Sequence, residues 1–445
     1  MAVASSQLPV LLEDAYVLTC DDAGTRGELA VAVVEQRIAA VGPTPELRRR
    51  FPGAERVRCR DRVLLPGLVN AHLHPDLHML KGELEELGLH DWIGARRFNA
   101  AVDFLDTPEG RPLQRAAIRA SFAEAILGGT TCVGAYGVTD GAEALCAEAF
   151  AELGLRGHVT IRDTNFSPVP ATFAPSPNGV HTRVMYRLHA EERLDDAELR
   201  AAAVAHERGD RLVMHAAETA HRVHLSRQHF GMTTVRLLHR RGLLSPRMLL
   251  SHAVHVDAEE IDLIAQQGTP VVVSPAAEMK LSDGVPPVVE LLRHGVPVAL
   301  GTDAAVCNNG TDMFLEMKLL GLAQKLRYGA ACMPAEQILL MATRHGAAAL
   351  GEPGVYGALA EGMAADVILV DAKSPRMQPL VTDAARPNVA ANLVYAATAA
   401  DVTDVMVAGR WIVRRRRLLS ASARGIAREL DDAARRLHEL LRDRE

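Results

Sequence analysis

From about residue 63 to residue 350, short apolar runs alternate with longer Ala, Leu, Arg and Glu stretches of helical period. This is the pattern of βα units with parallel strands, because a strand covered on both faces reads as a nearly continuous hydrophobic run. Strands are predicted over 64–71, 130–136, 158–162, 183–188, 212–215, 248–251, 269–274 and 296–301. Eight such units close into a (β/α)8 TIM barrel, so the fold class is α/β. The flanks have a different texture. Residues 14–19 and 29–34 are short alternating runs between Gly and Asp turns, and 365–371 and 402–410 repeat that texture. Both chain ends are therefore expected to build one small β-sandwich domain. The expected division is 1–62 and 355–420 for the two parts of that domain, 63–354 for the barrel and 421–445 for an amphipathic helix. Segments 166–180 and 281–287 lack a period and are expected to lie over the strand ends and shape a pocket.

Composition agrees with this reading. The 445 residues accommodate a barrel of roughly 250 residues with a flanking domain. Hydrophobic residues at 48% and charged residues at 23% are the balance of a folded globular protein, neither disordered nor fibrous. The net charge of −6 is small and the basic residues are scattered, so no nucleic-acid partner is expected. Cys20, Cys59, Cys132, Cys146, Cys307 and Cys332 form no C-x-x-C pair, which argues against a zinc ribbon or a thioredoxin-like site and for reduced thiols. Residues 1–12 lack a cationic start and no run approaches a membrane span. The expectation is a cytoplasmic protein without a membrane partner.

The candidate chemistry stands at the ends of the predicted strands. His72 and His74 follow the run Val63-Leu64-Leu65-Pro66-Gly67-Leu68-Val69-Asn70-Ala71. In an extended strand, side chains two positions apart share a face, so both imidazoles point one way and Leu73 the other. His215 follows Leu212-Val213-Met214, His252 follows Met248-Leu249-Leu250-Ser251, and Asp303 ends Val298-Ala299-Leu300-Gly301-Thr302. Any one of these is more readily a satisfied cap or core group. Together they occupy the ends of strands one, five, six and eight, where a barrel keeps its chemistry. Nitrogen ligands plus one carboxylate suit zinc, with iron or manganese as alternatives. Glu218 follows His215 closely enough to move protons beside it.

The ordered pattern resembles the amidohydrolase superfamily, in particular its aminohydrolase and chlorohydrolase branch. It consists of Pro66-Gly67-Leu68-Val69-Asn70-Ala71-His72-Leu73-His74, His215-Ala216-Ala217-Glu218-Thr219, Ser251-His252-Ala253-Val254-His255 and Leu300-Gly301-Thr302-Asp303. Further matches are Leu87-Gly88-Leu89-His90-Asp91-Trp92-Ile93, Gly128-Gly129-Thr130-Thr131, Asn308-Asn309-Gly310-Thr311-Asp312-Met313-Phe314 and Gly362-Met363-Ala364-Ala365-Asp366. That branch includes deaminases of adenosine-type thioethers, guanine and cytosine, and the triazine hydrolases. The resemblance implies that His72, His74, His215 and Asp303 hold one divalent metal, Zn2+ with Fe2+ as the alternative. It implies that Asp303 takes a proton from the attacking water, that Glu218 protonates the ring nitrogen, and that His252 polarises or orients the attacked group. The implied reaction is hydrolytic deamination of a purine, pyrimidine, pterin or triazine-like ring with release of ammonia, in a homodimer or homotetramer. Displacement of chloride or an alkylamine from a triazine-like ring is the alternative within the branch, and a non-catalytic scaffold is the alternative outside enzymes. Retention of Glu218 favours deamination over the first, and the intact ligand set argues against the second.

Two other metal architectures do not fit. A relative of the same fold class bridges two metals with a carboxylated lysine on the fourth strand, but no lysine lies between Lys81 and Lys280. A mononuclear site is the expectation. His189-Ala190-Glu191 matches the H-x-E half of another zinc deaminase motif, but no P-C-x-x-C follows.

Departures from the branch bear on the substrate. Where thioadenosine-type deaminases typically read P-H-A-P-Y, this chain has Leu188-His189-Ala190-Glu191-Glu192. His189 is expected to reach substrate, while Glu191 and Glu192 stay open between substrate contacts and solvated helix-start charges. Glu278 stands where many relatives have Asn, and an acid there is expected to favour a substrate with an extra donor or cation. Trp92 completes the expected substrate contacts together with Arg162. Arg162 ends the third strand and Arg183 opens the fourth, and each meets either the ligand or a neighbouring loop. His78, His181, His221, His224 and His255 have no defined role.

Overall fold

Parallel strands in a closed ring need side chains filling the interior and helices covering the outside. The computed structural model describes residues 8–173, 176, 179–382, 385 and 387–442. Residues 1–7 and 443–445 of the terminal segments, and 174, 175, 177 and 178 of the 166–180 segment, lie outside the described residues. The first part of the chain forms β1 (Val10–Leu18), β2 (Arg26–Val34), β3 (Arg37–Gly42), β4 (Glu55–Arg58) and β5 (Arg62–Pro66). The middle forms β6 (Leu68–His74), β7 (Thr130–Ala135), β8 (Arg156–Ile161), β9 (Thr182–Arg187), β10 (Leu212–Ala216), β11 (Met248–His252), β12 (Val271–Val273), β13 (Val298–Leu300) and β14 (Asp303–Ala304). The last part adds β15 (Val367–Asp371), β16 (Val402–Val407), β17 (Arg410–Arg414) and β18 (Arg417–Leu418).

Strands β6 to β13 pair in sequence order, each parallel to the next. The short β14 follows β13 and pairs with β6, Asp303 opposite Leu73 and Ala304 opposite His74, which closes the (β/α)8 barrel. Gly301 makes that closure sterically feasible, since a Cβ there would stand 2.6 Å from Cβ of His72. Asn70 clips the same seam, donating to Thr302 Oγ1 at 2.7 Å and accepting from the Thr302 amide at 3.1 Å. Asp303 is thereby carried to the strand that bears His72 and His74.

The two termini share one small β domain. Its strands run in the order β18-β17-β16-β15-β5-β1-β2-β3, with β4 also on β1. Here the structure corrects the boundary expected at residue 63. The predicted strand over 64–71 is two strands: Val63 to Pro66 pair with β1 and β15 in the small domain, and the barrel strand starts at Leu68. The break is at Gly67, where any Cβ would overlap the Thr131 side chain. A continuous apolar run cannot reveal that its two halves are buried in different sheets. Buried Arg156 at the start of β8 joins the domains through both carboxylate oxygens of Asp366, at 2.9 and 3.2 Å. The tail folds as the helix Ala423–Arg442, burying Ile426, Leu437 and Leu441. Among the described residues, no helix is long and apolar enough to cross a membrane.

Candidate active site

Alternation along the strands delivers most of the site. On β10, Val213 belongs to the interior cluster with Leu249, Val272 and Ala299, Met214 packs outward, and His215 returns to the interior. On β6 the pairing with β7 slips between Asn70 and Leu73, a bulge that alters the alternation. Val69 and Ala71 share the interior cluster by ordinary alternation, and across the slip His72 and His74 point into the site while Leu73 joins the outer core. His252 would face outward by alternation from Leu249, but its φ of 74° and the 47° of Ala253 redirect it inward. Asp303 has φ 60°. Left-handed backbone at non-glycine residues costs free energy, of order 1–3 kcal/mol each, and here it is confined within the site to residues that aim side chains or shape the strand ends.

His72, His74, His215, His252 and Asp303 converge. Nε2 of His74 lies 3.3 Å from Nε2 of His215 and 3.2 Å from Oδ1 of Asp303, and Nε2 of His72 lies 3.7 Å from the same oxygen. The His72 and His215 ring centroids are 4.8 Å apart. Among the described residues, only two sets of His, Cys, Asp or Glu side chains place three ligand atoms within 4.8 Å of one another: His72, His74 and His215, and His72, His252 and Asp303. Buried Nε2 of His72 has no hydrogen-bond partner, which is the state of a ligand atom facing a cation. Its other nitrogen, Nδ1, is 3.2 Å from Ser251 Oγ, which fixes the ring so that Nε2 faces the centre. Burial, reinforced by neighbouring imidazoles, holds His72 and His215 well below the ordinary imidazole value, so both are neutral. Burial alone would raise Asp303, but the bond from His74 and the electrostatic pull of the surrounding imidazole rings keep its carboxyl below the usual range. Three imidazole nitrogens and one carboxylate are a donor set that fits a divalent transition metal.

Glu218 and His252 stand beside this cluster. Nε2 of His252 is 3.7 Å from Glu218 Oε1 and 3.9 Å from Asp303 Oδ2. Burial would lower His252, yet Glu218, Glu278 and Asp303 together push it up to about 10. Above them opens a cavity of about 450 Å3 lined by His74, His215, Glu218 and Asp303 at one end and by Trp92, Arg162, His189, Tyr136 and Arg187 among others.

The remaining expected site residues divide by position. Trp92 lines the cavity from the helix Leu89–Gly94, packed edge-on against Phe98 with centroids 4.6 Å apart. His189 lines it too, its Nδ1 held at 3.0 Å by Glu198. Arg162 is at the exposed rim, 3.5 Å from Asp140. Glu278 does not line the cavity: it is buried behind His252, 3.3 Å from Nδ1, and also accepts the Ser274 amide at 2.8 Å. An acid expected to meet substrate is thus turned onto a neighbouring side chain. Arg183 pairs with Glu352 at the start of its strand, the end of the barrel opposite the site. Of the two open acids, buried Glu191 accepts from the Ala217 amide at 2.9 Å and Thr234 at 2.6 Å, while Glu192 lines the cavity and pairs with Arg222.

The described residues of the 166–180 segment do not shape this cavity. Among its described residues, Ala171 and Phe173 bond along the first part of β9, away from the carboxyl ends of the strands, and none lines the cavity. The wall comes instead from the helices Leu89–Gly94 and Arg96–Leu105, which contribute Phe98, Asn99, Val102 and Asp103. Segment 281–287 contributes Leu281. Sequence reasoning missed Ser251, Tyr136 and Arg222. Ser251 shares the strand parity of Leu249, and Arg222 stands one helical turn after Glu218, so the signals were present.

Comparison with known proteins decides the family. The profile of the amidohydrolase family matches residues 63–412. The chain belongs to the amidohydrolase family. It is a hydrolase acting on carbon–nitrogen bonds, with the fold its relatives share. A shorter match, to an imidazolonepropionase-like composite domain of bacteria, covers residues 30–54. A 5-methylthioadenosine/S-adenosylhomocysteine deaminase of Syntrophobacter fumaroxidans is 31% identical over 444 residues, covering 94% of this chain and 96% of its own. An adenosine deaminase from Xanthomonas campestris, solved with bound zinc, superposes with a TM-score of 0.85 at 28% identity, covering 97% of this chain and 98% of its own. An atrazine chlorohydrolase from Arthrobacter aurescens, solved with zinc, has a TM-score of 0.84 at 24% identity over 96% of this chain and 100% of its own, a likeness of fold alone.

Proposed function

We propose that this amidohydrolase is a mononuclear zinc-dependent aminohydrolase that replaces the amino group of an N-heterocycle with oxygen and releases ammonia. The preferred substrates are adenine nucleosides of the 5-methylthioadenosine type, a class supported by the named activity of the Syntrophobacter relative. The observation that carries the reading is the convergence of His72, His74, His215 and Asp303 beside Glu218 at one end of the cavity. Those four side chains would hold the cation, with ferrous iron as the alternative; when bound, it supplies Lewis acidity and acidifies water.

This chain's own groups then handle the protons. Asp303 takes one from the attacking water, and Glu218 delivers one to the ring nitrogen as the oxygen bonds to the amino-bearing carbon. Asp303 then passes its proton to the amine, which lets the carbon–nitrogen bond break and ammonia leave, and Glu218 takes up the hydroxyl proton as the new carbonyl forms, so both carboxyl groups return to their starting states. His252, set between Glu218 and Asp303, orients the attacked group. Trp92, His189 and Arg162 meet the remainder of the substrate. The partners are this small molecule and further copies of the chain, as a dimer or tetramer in the cytoplasm, states that light scattering and localisation would read.

Ammonia release by the zinc-loaded protein tests the function across 5-methylthioadenosine, S-adenosylhomocysteine, adenosine, guanine, cytosine, pterins and chlorotriazines. Turnover of an adenine nucleoside is expected. Chloride release without ammonia would establish the chlorohydrolase alternative, and a folded, metal-free, inactive protein the scaffold alternative.

A further inference from the structure

We propose that Arg222 is a positioning residue that sets the Glu218 carboxylate for proton transfer; this rests on the reading of Glu218 as the proton carrier. Glu218 lies in the turn after β10, and Thr219 caps the helix Ala220–Phe230 by accepting the Arg222 amide at 3.1 Å. A helical side chain leans toward its own N-terminus, so Arg222 runs back over that cap. Its guanidinium bonds Oε2 of Glu218 through Nη1 and Oε1 of Glu192, at 2.8 Å, through Nε.

The environment makes this arrangement consequential. The Arg222 side chain is 8% exposed and that of Glu218 3%, so neither charge is relieved by bulk water. A guanidinium is a planar fork that stays charged, which lets it fix the plane of a carboxylate without accepting a proton. With Oε2 of Glu218 occupied, Oε1 is the oxygen that faces His252, at 3.7 Å. Glu192 anchors the other edge of the guanidinium, so Arg222 cannot follow Glu218 if the carboxylate turns. This network lies in the cavity wall, whereas the metal cluster is assembled without it.

Arg222→Met and Arg222→Lys test the proposal by kinetics on 5-methylthioadenosine and by crystal structures of the zinc-loaded variants. In Arg222→Met, kcat is expected to fall about 100-fold, the scale of misplaced general acid–base groups, with KM within about threefold and metal content unchanged. Arg222→Lys, which restores the charge but not the fork, is expected to recover about tenfold of that loss. In the Arg222→Met crystal, Oε1 of Glu218 is expected to leave its place beside His252. Unchanged kcat, or Glu218 unmoved in the variant crystals, would overturn the proposal. A rise in KM alone would do so as well, marking Arg222 as a substrate contact. If Arg222→Met does not fold, Arg222→Lys carries the test, with a roughly tenfold lower kcat and a displaced Glu218 expected. A Glu218→Gln enzyme that kept full turnover would instead refute the proton-carrier reading, and the crystals decide the positioning claim even without turnover.

Discussion

The Glu278 carboxylate lies 3.3 Å from Nδ1 of His252, and both side chains are 1% exposed. Nδ1 donating to Glu278 leaves Nε2 turned toward Glu218 and Asp303. Glu278 thus reaches the candidate site only through His252.

Glu278→Gln should therefore lower kcat by roughly tenfold while leaving KM and metal content close to wild type, in line with the cost of losing a partner that orients a site histidine. Steady-state kinetics with metal analysis checks this. An altered KM with unchanged kcat would place Glu278 against substrate instead.

Removing the metal should abolish turnover and lower the melting temperature, because an ion bound only by the folded chain stabilises it by mass action. Dialysis against a chelator, then zinc, should remove and restore both. His215→Ala should bind less than one zinc per chain and show no recovery.

Trp92 is 8% exposed and packs on Phe98, so its truncation affects both wall and core. Trp92→Ala should raise KM by about tenfold and cost roughly 3 kcal/mol of stability, the low end for a buried aromatic. Chemical denaturation and kinetics separate the two effects.

At the other end of the barrel, burial favours protonation of Glu352, but His158, Arg183 and Arg156 more than offset it and hold the carboxyl at about 2 against its ordinary 4.5. A folded value below the unfolded one gives stability that is present above about 4.5 and lost as pH falls toward 2, up to roughly 3 kcal/mol. Glu352→Gln should be less stable than wild type at pH 7, and the difference should shrink as pH falls from 5 toward 2. Denaturant titrations at several pH values check it.

Much of the fold was legible because its signals are local. The eight strand positions follow from apolar runs, and His72, His74, His215 and Asp303 from their places at the run ends. What was not legible depends on which face a residue turns and against what. The run through Val63 and Leu68 hides the crossing between two sheets at Gly67, since both halves are equally apolar. Glu278 looked like a substrate contact because a short helix after β12 gives no sign that its acid folds back onto β11. The segment 166–180 was expected over the strand ends because it is aperiodic, yet backbone bonds of Ala171 and Phe173 along the first part of β9 tie its described residues to the other end.

The proposed reaction depends on one cation held among His72, His74, His215 and Asp303. Anomalous diffraction at the zinc edge, from crystals of the zinc-loaded protein, measures this directly. The expected result is a single peak within bonding distance of His72, His74, His215 and Asp303. A folded protein with no peak there, or with its peak elsewhere, would contradict it.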